Sequence, residues 1–203
     1  MKIICIGRNY REHALELDNP VPEQPIFFFK PDTALVPKNQ PVFYPEFTQD
    51  LQYECEIVVK INRLGKSIPE KFASKYYSEI AIGLDLTARD LQAEAKSKGL
   101  PWSLAKGFDY SAPISKYMAV DEIKNVNDLH FSLKKNEKIV QSASTAEMIF
   151  SIDRLIAYLS QFMTLKTGDL IFTGTPSGVG SLKIGDKLEA FIEDRLMLTC
   201  NIR

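Results

Sequence analysis

Three carboxylates stand where charge is hard to explain: Glu54 and Glu56 in QYECEIVVKI, and Asp85 in IAIGLDLTARD. Between Gln52 and Ile61, strand alternation puts Tyr53, Cys55, Ile57, Val59 and Ile61 on one apolar face. Glu54 and Glu56 share the other face, roughly 6–7 Å apart along the strand. Like charges at that spacing repel, and a cation between them relieves the repulsion. Asp85 follows a second apolar run, 80–84, and precedes a helix start. Oxygen donors without His or Cys suit a hard ion such as Mg²⁺, Mn²⁺ or Ca²⁺. A solvated strand face followed by a helix-capping aspartate is the plainer alternative.

His13 and Glu16 lie three residues apart in REHALE, so a helix there puts them on one face. A carboxylate beside an imidazole fixes its tautomer and raises its basicity, as a general base for water requires. The same spacing also describes an ordinary surface pair, although the chain has only two histidines. The other, His130, alternates with Leu129, Phe131 and Leu133 and is expected to face solvent. Arg89 and Gln92 repeat the three-residue spacing just after Asp85, where a guanidinium fork can hold a carboxylate through two bonds. Exposed positions on a helix are the alternative. Lys106 in SLAKGFDYSAP stands between apolar residues and a glycine. A partly buried lysine near a divalent ion stabilises a developing oxyanion, whereas a lysine at a strand end commonly snorkels to water. The stretch 173–180, TGTPSGVG, follows an apolar strand but lacks the GK[ST] ending of a P-loop, and it is not a GxGxxG turn before a helix. Its glycines permit close backbone approach to a ligand, with Thr hydroxyls and amides available to an anion. A tight turn would look the same.

These groups need a frame to hold them. Residues 1–7 read as a strand, and 9–17 as a short helix with Asn9 as N-cap, Glu12 at its third position and Pro20 beyond its end. Seven of the eleven prolines fall between Pro20 and Pro45, which predicts extended loops and edge strands, or a lid beside that helix. Strands are expected over 52–61 and 80–86, with a turn near 62–65. A helix should open at Thr87, capped by its hydroxyl with Asp90 returning the bond, and end near Gly99 ahead of Pro101. LHFSLKKNEKIVQSAS predicts a hairpin turning at 135–137. Ser144 and Glu147 form a capping-box signature for a long helix striped by Ile149, Ile152, Ile156, Leu159 and Met163. GDLIFTGTP, DKLEAFIED and MLTCNIR return to strands. Strands outnumber helices without alternating strictly with them, so the expected class is mixed β with a few helices, α+β, and not a doubly wound sheet.

At 203 residues and 45% apolar composition, the chain suffices for one domain with a substantial core. A net charge of −1 and scattered basic residues favour neither nucleic acid nor an anionic membrane. MKIICIGRNY holds too short an apolar run for a signal peptide, and no stretch approaches the ~20 apolar residues of a spanning helix. Cys5, Cys55 and Cys200 are odd in number, unclustered and set in strand-like sequence. They predict buried reduced thiols in a cytoplasmic protein, not a disulfide framework or a zinc site.

IGRNYREHALE, the E-x-E of YECEI, GLDLTARDLQ, KGLPWSLAKGF and IFTGTPSGVG together resemble the fumarylacetoacetate hydrolase family, in the family's order and across almost the whole chain. The compact length and DLQAEAKSKGLPWSLAKGF are most similar to its single-domain acylpyruvase and oxaloacetate decarboxylase branch. The resemblance implies one catalytic domain over 1–203, a β-sandwich or β-roll fold, a homodimer, and one Mg²⁺ or Mn²⁺ per subunit. By motif, Glu54, Glu56 and Asp85 match the family's metal ligands, and His13 and Glu16 its water-activating dyad on a segment that closes over the site. Arg89, Gln92, Lys106 and Thr175 match its substrate-contacting positions. Gln52 and Leu84 depart from the Asp and Asn frequent there, a change that bears on the hydrogen bonds behind the ligands and hence on metal affinity.

The implied reaction is hydrolytic carbon–carbon cleavage of a 2,4-dioxo acid. Decarboxylation of oxaloacetate is a companion activity, because both reactions release the enolate of pyruvate. A family alternative is isomerisation or decarboxylation of a hydroxymuconate-type diacid, which would need a second cationic clamp. Arg8, Arg11 and Lys30 are near in sequence, but the chain alone cannot aim them. The alternative of another class is a catalytically inactive binding homologue that keeps the fold and the ion.

Overall fold

The structure, a computed structural model, describes residues 1–16, 20–37 and 40–203. In chain order the strands are β1 (Ile3–Gly7), β2 (Ile26–Lys30), β3 (Leu51–Tyr53), β4 (Cys55–Ile61), β5 (Tyr77–Leu84), β6 (Thr87–Ala88) and β7 (Met118–Ala119). They continue with β8 (His130–Lys135), β9 (Lys138–Ser144), β10 (Leu170–Phe172), β11 (Gly180–Ser181), β12 (Lys187–Ile192) and β13 (Arg195–Asn201). The helices are α1 (Arg11–Glu16), α2 (Arg89–Lys98), α3 (Ser103–Lys106) and α4 (Ile152–Phe162). Strands dominate and helices are few, the mixed α+β architecture expected.

Six strands form one sheet in the order β2-β1-β10-β4-β5-β7, in which only β1 and β10 run parallel. Alternation along these strands separates two apolar layers. Ile4, Ile6, Cys55, Ile57, Val59, Ile80 and Ile82 enter the main core, where Phe131, Leu133, Leu188 and Ala190 of the four-stranded sheet β13-β12-β8-β9 meet them. Ile3, Cys5, Val58, Ala81 and Phe172 enter a smaller cluster on the opposite face. Glu54 and Glu56 lie on that second face, so the sheet has apolar cover on one side and the acidic centre on the other. α4 seals the main core through Ile152, Leu155, Ile156 and Leu159. The three cysteines are buried free thiols, and burial pushes Cys200 up to about 12. Among the described residues no helix is long and apolar enough to cross a membrane.

Several local expectations change. The strand expected over 52–61 breaks at Glu54, because β3 leaves the large sheet and pairs with β11 and β6. Asn9 does not cap α1. Its side-chain amide donates to the carbonyls of Phe150 and Thr173 and accepts from Phe150 N, tying the first turn to the distal chain. The expected helix end at Leu17 lies outside the described residues. Thr87 belongs to β6 and caps nothing; α2 opens at Arg89, and Asp90 instead binds Thr48, Gln49 N and Leu91 N. α2 does end on Gly99, in the left-handed conformation at φ 64°. The Ser144–Glu147 capping box forms, but on a separate 3₁₀ turn, while α4 has its own cap in Ser151. The β8–β9 hairpin turns at Asn136 and Glu137, with φ 48° and 69°, the two left-handed residues that match the twist of a tight hairpin.

Candidate functional site

β4 and β5 pair antiparallel with Cys55 opposite Leu84, so Glu54 and Asp85 project just beyond that last pair. Asp85 N donates to Glu54 O at 2.8 Å, which fixes the two breaks against each other. Glu56, two residues along the same face, completes the cluster. Ligand-type oxygens of Glu54, Glu56 and Asp85 lie within 4.8 Å of one another, and the residues are only 6%, 1% and 1% exposed.

Three cations surround this floor. Lys106, from the short α3, donates to Glu54 Oε2 at 2.7 Å, Asp85 Oδ2 at 2.9 Å and Thr87 Oγ1 at 2.5 Å, which engages all its N–H groups. Arg89 reaches Glu54 Oε1 at 2.6 Å, while Gln52 and Gln92 accept from its other nitrogens at 2.8 and 2.6 Å. Lys30 lies beneath, with its ammonium 2.8 Å from Asp85 Oδ1. Its three N–H groups, however, go to the Leu86 and Lys106 carbonyls and to Ser111 Oγ. Asp85 Oδ1 therefore feels a positive charge without receiving a proton, and remains a buried oxygen with no hydrogen bond.

The acids divide accordingly. Burial pushes Glu54 up, but Lys106 and Arg89 outweigh it and hold the carboxyl well below its ordinary value. Glu56 is driven the other way, first by burial and then by Asp85 and Glu54, against the N–H of Gly174 at 2.7 Å and the more weakly felt charge of Lys106. Gly174 can bring that N–H so close because it adopts φ 98°, and a Cβ there would meet Asn9 Cβ at 2.7 Å. Among the described residues no cationic side chain pairs with Glu56. An all-oxygen donor set, an Asp85 oxygen with an ion contact to Lys30 but no hydrogen bond, and a Glu56 without an ion-pair partner fit a divalent ion of the Mg²⁺ or Mn²⁺ kind.

The dyad stands above this floor. His13 is buried on α1 with Nδ1 3.1 Å from Glu16 Oε2, and the other Glu16 oxygen accepts Gly178 N at 3.0 Å. Glu16 thus orients the imidazole and latches α1 to the 174–178 turn. His13, Glu54, Arg89, Gln92, Lys106 and Thr175 line one cavity, so the structure brings every sequence-predicted group to one place, with Glu56 and Asp85 beneath. The Thr175 hydroxyl donates to Cys55 O and accepts from Gln141, so its proton holds the turn against β4. Of the possible clamps, only Arg8 faces this cavity. Arg11 lines a separate surface recess, and Lys30 is a buried brace. Gln52 orients Arg89, and Leu84 packs into the main core. His130 is exposed, as expected. Sequence reasoning missed Lys96 and Trp102 of the cavity wall and Gln141 behind Thr175. A helical stripe through 89, 92 and 96 is the signal that would have found Lys96.

A buried oxygen-donor centre reached through a cation-lined cavity defines a site for a small anionic molecule. The chain belongs to the fumarylacetoacetate hydrolase family: the family profile described as fumarylacetoacetate (FAA) hydrolase C-terminal matches residues 2–203. It is 44% identical over 191 residues to oxaloacetate tautomerase FAHD1, mitochondrial, of Rattus norvegicus, covering 94% of this chain and 86% of that protein. Fumarylpyruvate hydrolase from Pseudomonas aeruginosa, solved in complex with Mn²⁺ and pyruvate, is 35% identical with a TM-score of 0.94, over 100% of this chain and 89% of the other. 5-Carboxymethyl-2-hydroxymuconate delta-isomerase from Mycobacterium smegmatis is 33% identical with a TM-score of 0.87, over 99% and 78%.

Proposed function

We propose that this chain is one catalytic domain of a metal-dependent enzyme, homodimeric and cytoplasmic, that hydrolyses the carbon–carbon bond of 2,4-dioxo acids to pyruvate and a carboxylic acid. The observation that carries the reading is the buried Glu54–Glu56–Asp85 centre, with its unbonded Asp85 oxygen, beneath the His13–Glu16 pair. Mg²⁺ or Mn²⁺ held by these three carboxylates would supply electrophilic pull on the oxo oxygens of a bound 2-oxo acid. Arg89 has three of its five N–H groups engaged, leaving one on each terminal nitrogen for the substrate 1-carboxylate. Gln92 uses only its Oε1 on Arg89 among the described residues, so its amide hydrogens serve the same carboxylate. His13, oriented by Glu16, takes a proton from the water that attacks the 4-carbonyl and returns it to the departing carbon of pyruvate. Lys106, its protons already engaged, acts by its fixed positive charge on the developing oxyanion, and Thr175 shapes the wall beside it.

A second reading is keto–enol tautomerisation of oxaloacetate, favoured by the 44% identical relative of that name. It needs only a proton moved between C3 and the 2-oxo oxygen, with no attacking water, and uses the same floor. Loss of CO₂ from oxaloacetate is a companion on the same grounds.

The test offers acetylpyruvate, oxaloacetate and a hydroxymuconate-type diacid to the purified protein, each with Mg²⁺ and with chelator. Metal-dependent cleavage of acetylpyruvate that falls about 10²–10⁴-fold in His13→Ala is the expected result. Absence of metal-dependent turnover with all three overturns the enzyme reading. Full acylpyruvate hydrolysis by His13→Ala would remove the dyad from it.

A further inference from the structure

The acidic floor and the turn after β10 belong to the large sheet and its loops, yet one side chain of the four-stranded sheet holds both. Gln141 of β9 is only 2% exposed, an amide at an inward strand position whose next inward neighbour is Ala143. β8 pairs Leu133 with Gln141 but Lys134 with Ile139, so Val140 is an extra residue in β9. A bulge of this kind re-aims the adjacent side chain, and bulges recur beside functional sites. Here the next residue is Gln141, and its amide reaches across to the start of β4.

Cys55 N donates to Gln141 Oε1 at 2.9 Å, and the Gln141 amide nitrogen donates to Thr175 Oγ1 and to Pro176 O, both at 2.9 Å. Thr175 Oγ1 donates in turn to Cys55 O at 2.9 Å, which closes a ring through both polar groups of Cys55. β10 pairs with β4 only as far as Val58, three residues short of Cys55. Beyond that point side chains replace the ladder: Thr173 Oγ1 donates to Ile57 O, and the Gln141–Thr175 ring serves Cys55. Cys55 is the single residue between Glu54 and Glu56, at the point where β3 leaves for another sheet. The two acids hang from either side of it, so its φ and ψ set how their carboxylates stand to each other.

We infer that Gln141 is a positioning residue for two parts of the site at once: it holds Glu54 and Glu56 at ligand spacing and keeps the 174–178 turn in register with them. This role rests on the proposed metal centre for what the acids hold, whereas the ring of bonds stands independently of it. Gln141 lies outside the cavity lining and acts through Cys55 and Thr175. Its influence extends to the dyad, since Gly178 of the same turn donates to Glu16 at 3.0 Å. An apolar side chain of the same length would leave Cys55 N without its acceptor and free the turn from β9.

The test compares Gln141→Met, which keeps the side-chain length and removes its three bonds, with Ala143→Gly, which loosens the next inward position of β9 without touching the ring. In calorimetric titration of metal-free protein with Mn²⁺, Gln141→Met should bind about 10–100-fold more weakly than wild type, and Ala143→Gly within about twofold of it. Thr175→Val cuts the same ring from its other side, so the measurement stands even where Gln141→Met does not fold. It should lose affinity to a similar extent, and the double variant should lose no more than the weaker single, because one ring is broken once. An affinity of Gln141→Met within about twofold of wild type, an equal loss in Ala143→Gly, or single losses that multiply in the double variant overturns the role of Gln141 and leaves the metal centre standing. Absence of Mn²⁺ binding by wild type overturns the metal centre instead, and Gln141 is then read from hydrogen exchange of the metal-free protein. Residues 53–57 and 174–178 should lose protection together in Gln141→Met or Thr175→Val and keep it in Ala143→Gly. Loss confined to one of the two segments, or to neither, overturns the role.

Discussion

The floor and the mouth of the cavity handle charge in opposite ways. On the floor, Lys106 and Lys30 have every N–H directed to a named acceptor, and Glu54 is gripped by two cations. At the mouth, Arg8 and Lys96 line the same cavity as Arg89 with no acid of their own among the described residues. Floor charges are fixed in place by their partners, which is what a preorganised electrostatic site requires, since nothing need reorient as charge develops. Mouth charges have no such partners. Removing a floor charge should therefore damage the fold, and removing a mouth charge should leave it intact.

The largest effect is expected for Lys106→Met. It strips a shared cation from two buried carboxylates and should lower unfolding free energy by about 3–5 kcal/mol in urea denaturation, with hydrolysis lost as well. A loss below about 1 kcal/mol would show that the floor is not a paired network. Gly178→Ala comes next. Gly178 has φ 96°, and a Cβ would lie 2.2 Å from Val140 O, so the turn must move and withdraw its N–H from Glu16. About 1–3 kcal/mol of stability should go, and hydrolysis by the protein that remains folded should fall as well, because the latch orients His13.

Asp186 is a yardstick outside the cavity. Burial pushes its carboxyl up, but donors from Asn136, Lys183 N and Lys135 outweigh this and hold it below the usual range. Its contribution is thus complete above the unfolded value near pH 4 and disappears as pH falls through the lower folded value. Asp186→Asn should cost about 1 kcal/mol at pH 7 and progressively less in acid, measured by denaturation across pH. A cost that grows in acid would reverse the sign. Lys96→Met should be the mildest, within about 0.5 kcal/mol of wild type; a loss approaching that of Lys106→Met would erase the distinction between mouth and floor.

The acids and the dyad were legible because their signals are periodic. A strand's two-residue repeat puts Glu54 and Glu56 on one face whatever the chain does elsewhere, and a helix does the same for His13 with Glu16 and Arg89 with Gln92. Capping was less legible because it is a local competition that distant partners can win. Thr87 has the sequence of a cap, yet Lys106 takes its oxygen, and Asn9 is drawn to segments more than 140 residues away. Lys30 was illegible as a brace for the same reason. At the end of FFFK it reads as one possible second clamp, but its acceptors lie 56, 76 and 81 residues on. The break at Glu54 left no mark in QYECEIVVKI, since β3 and β4 are equally strand-like and differ only in which sheet they join.

The position of β1 carries a consequence for how the protein is made. Its inner neighbour is β10, with Ile3 against Leu170, and the sheet that holds the acidic centre lacks that joint until both have emerged from the ribosome. At about 5–20 residues per second, the first strand waits on the order of ten seconds or more for its partner. Pairings so remote in sequence also form slowly once available. Until then IICIG has only β2 beside it, and the sheet beneath the acidic floor is among the last parts of the molecule to become whole.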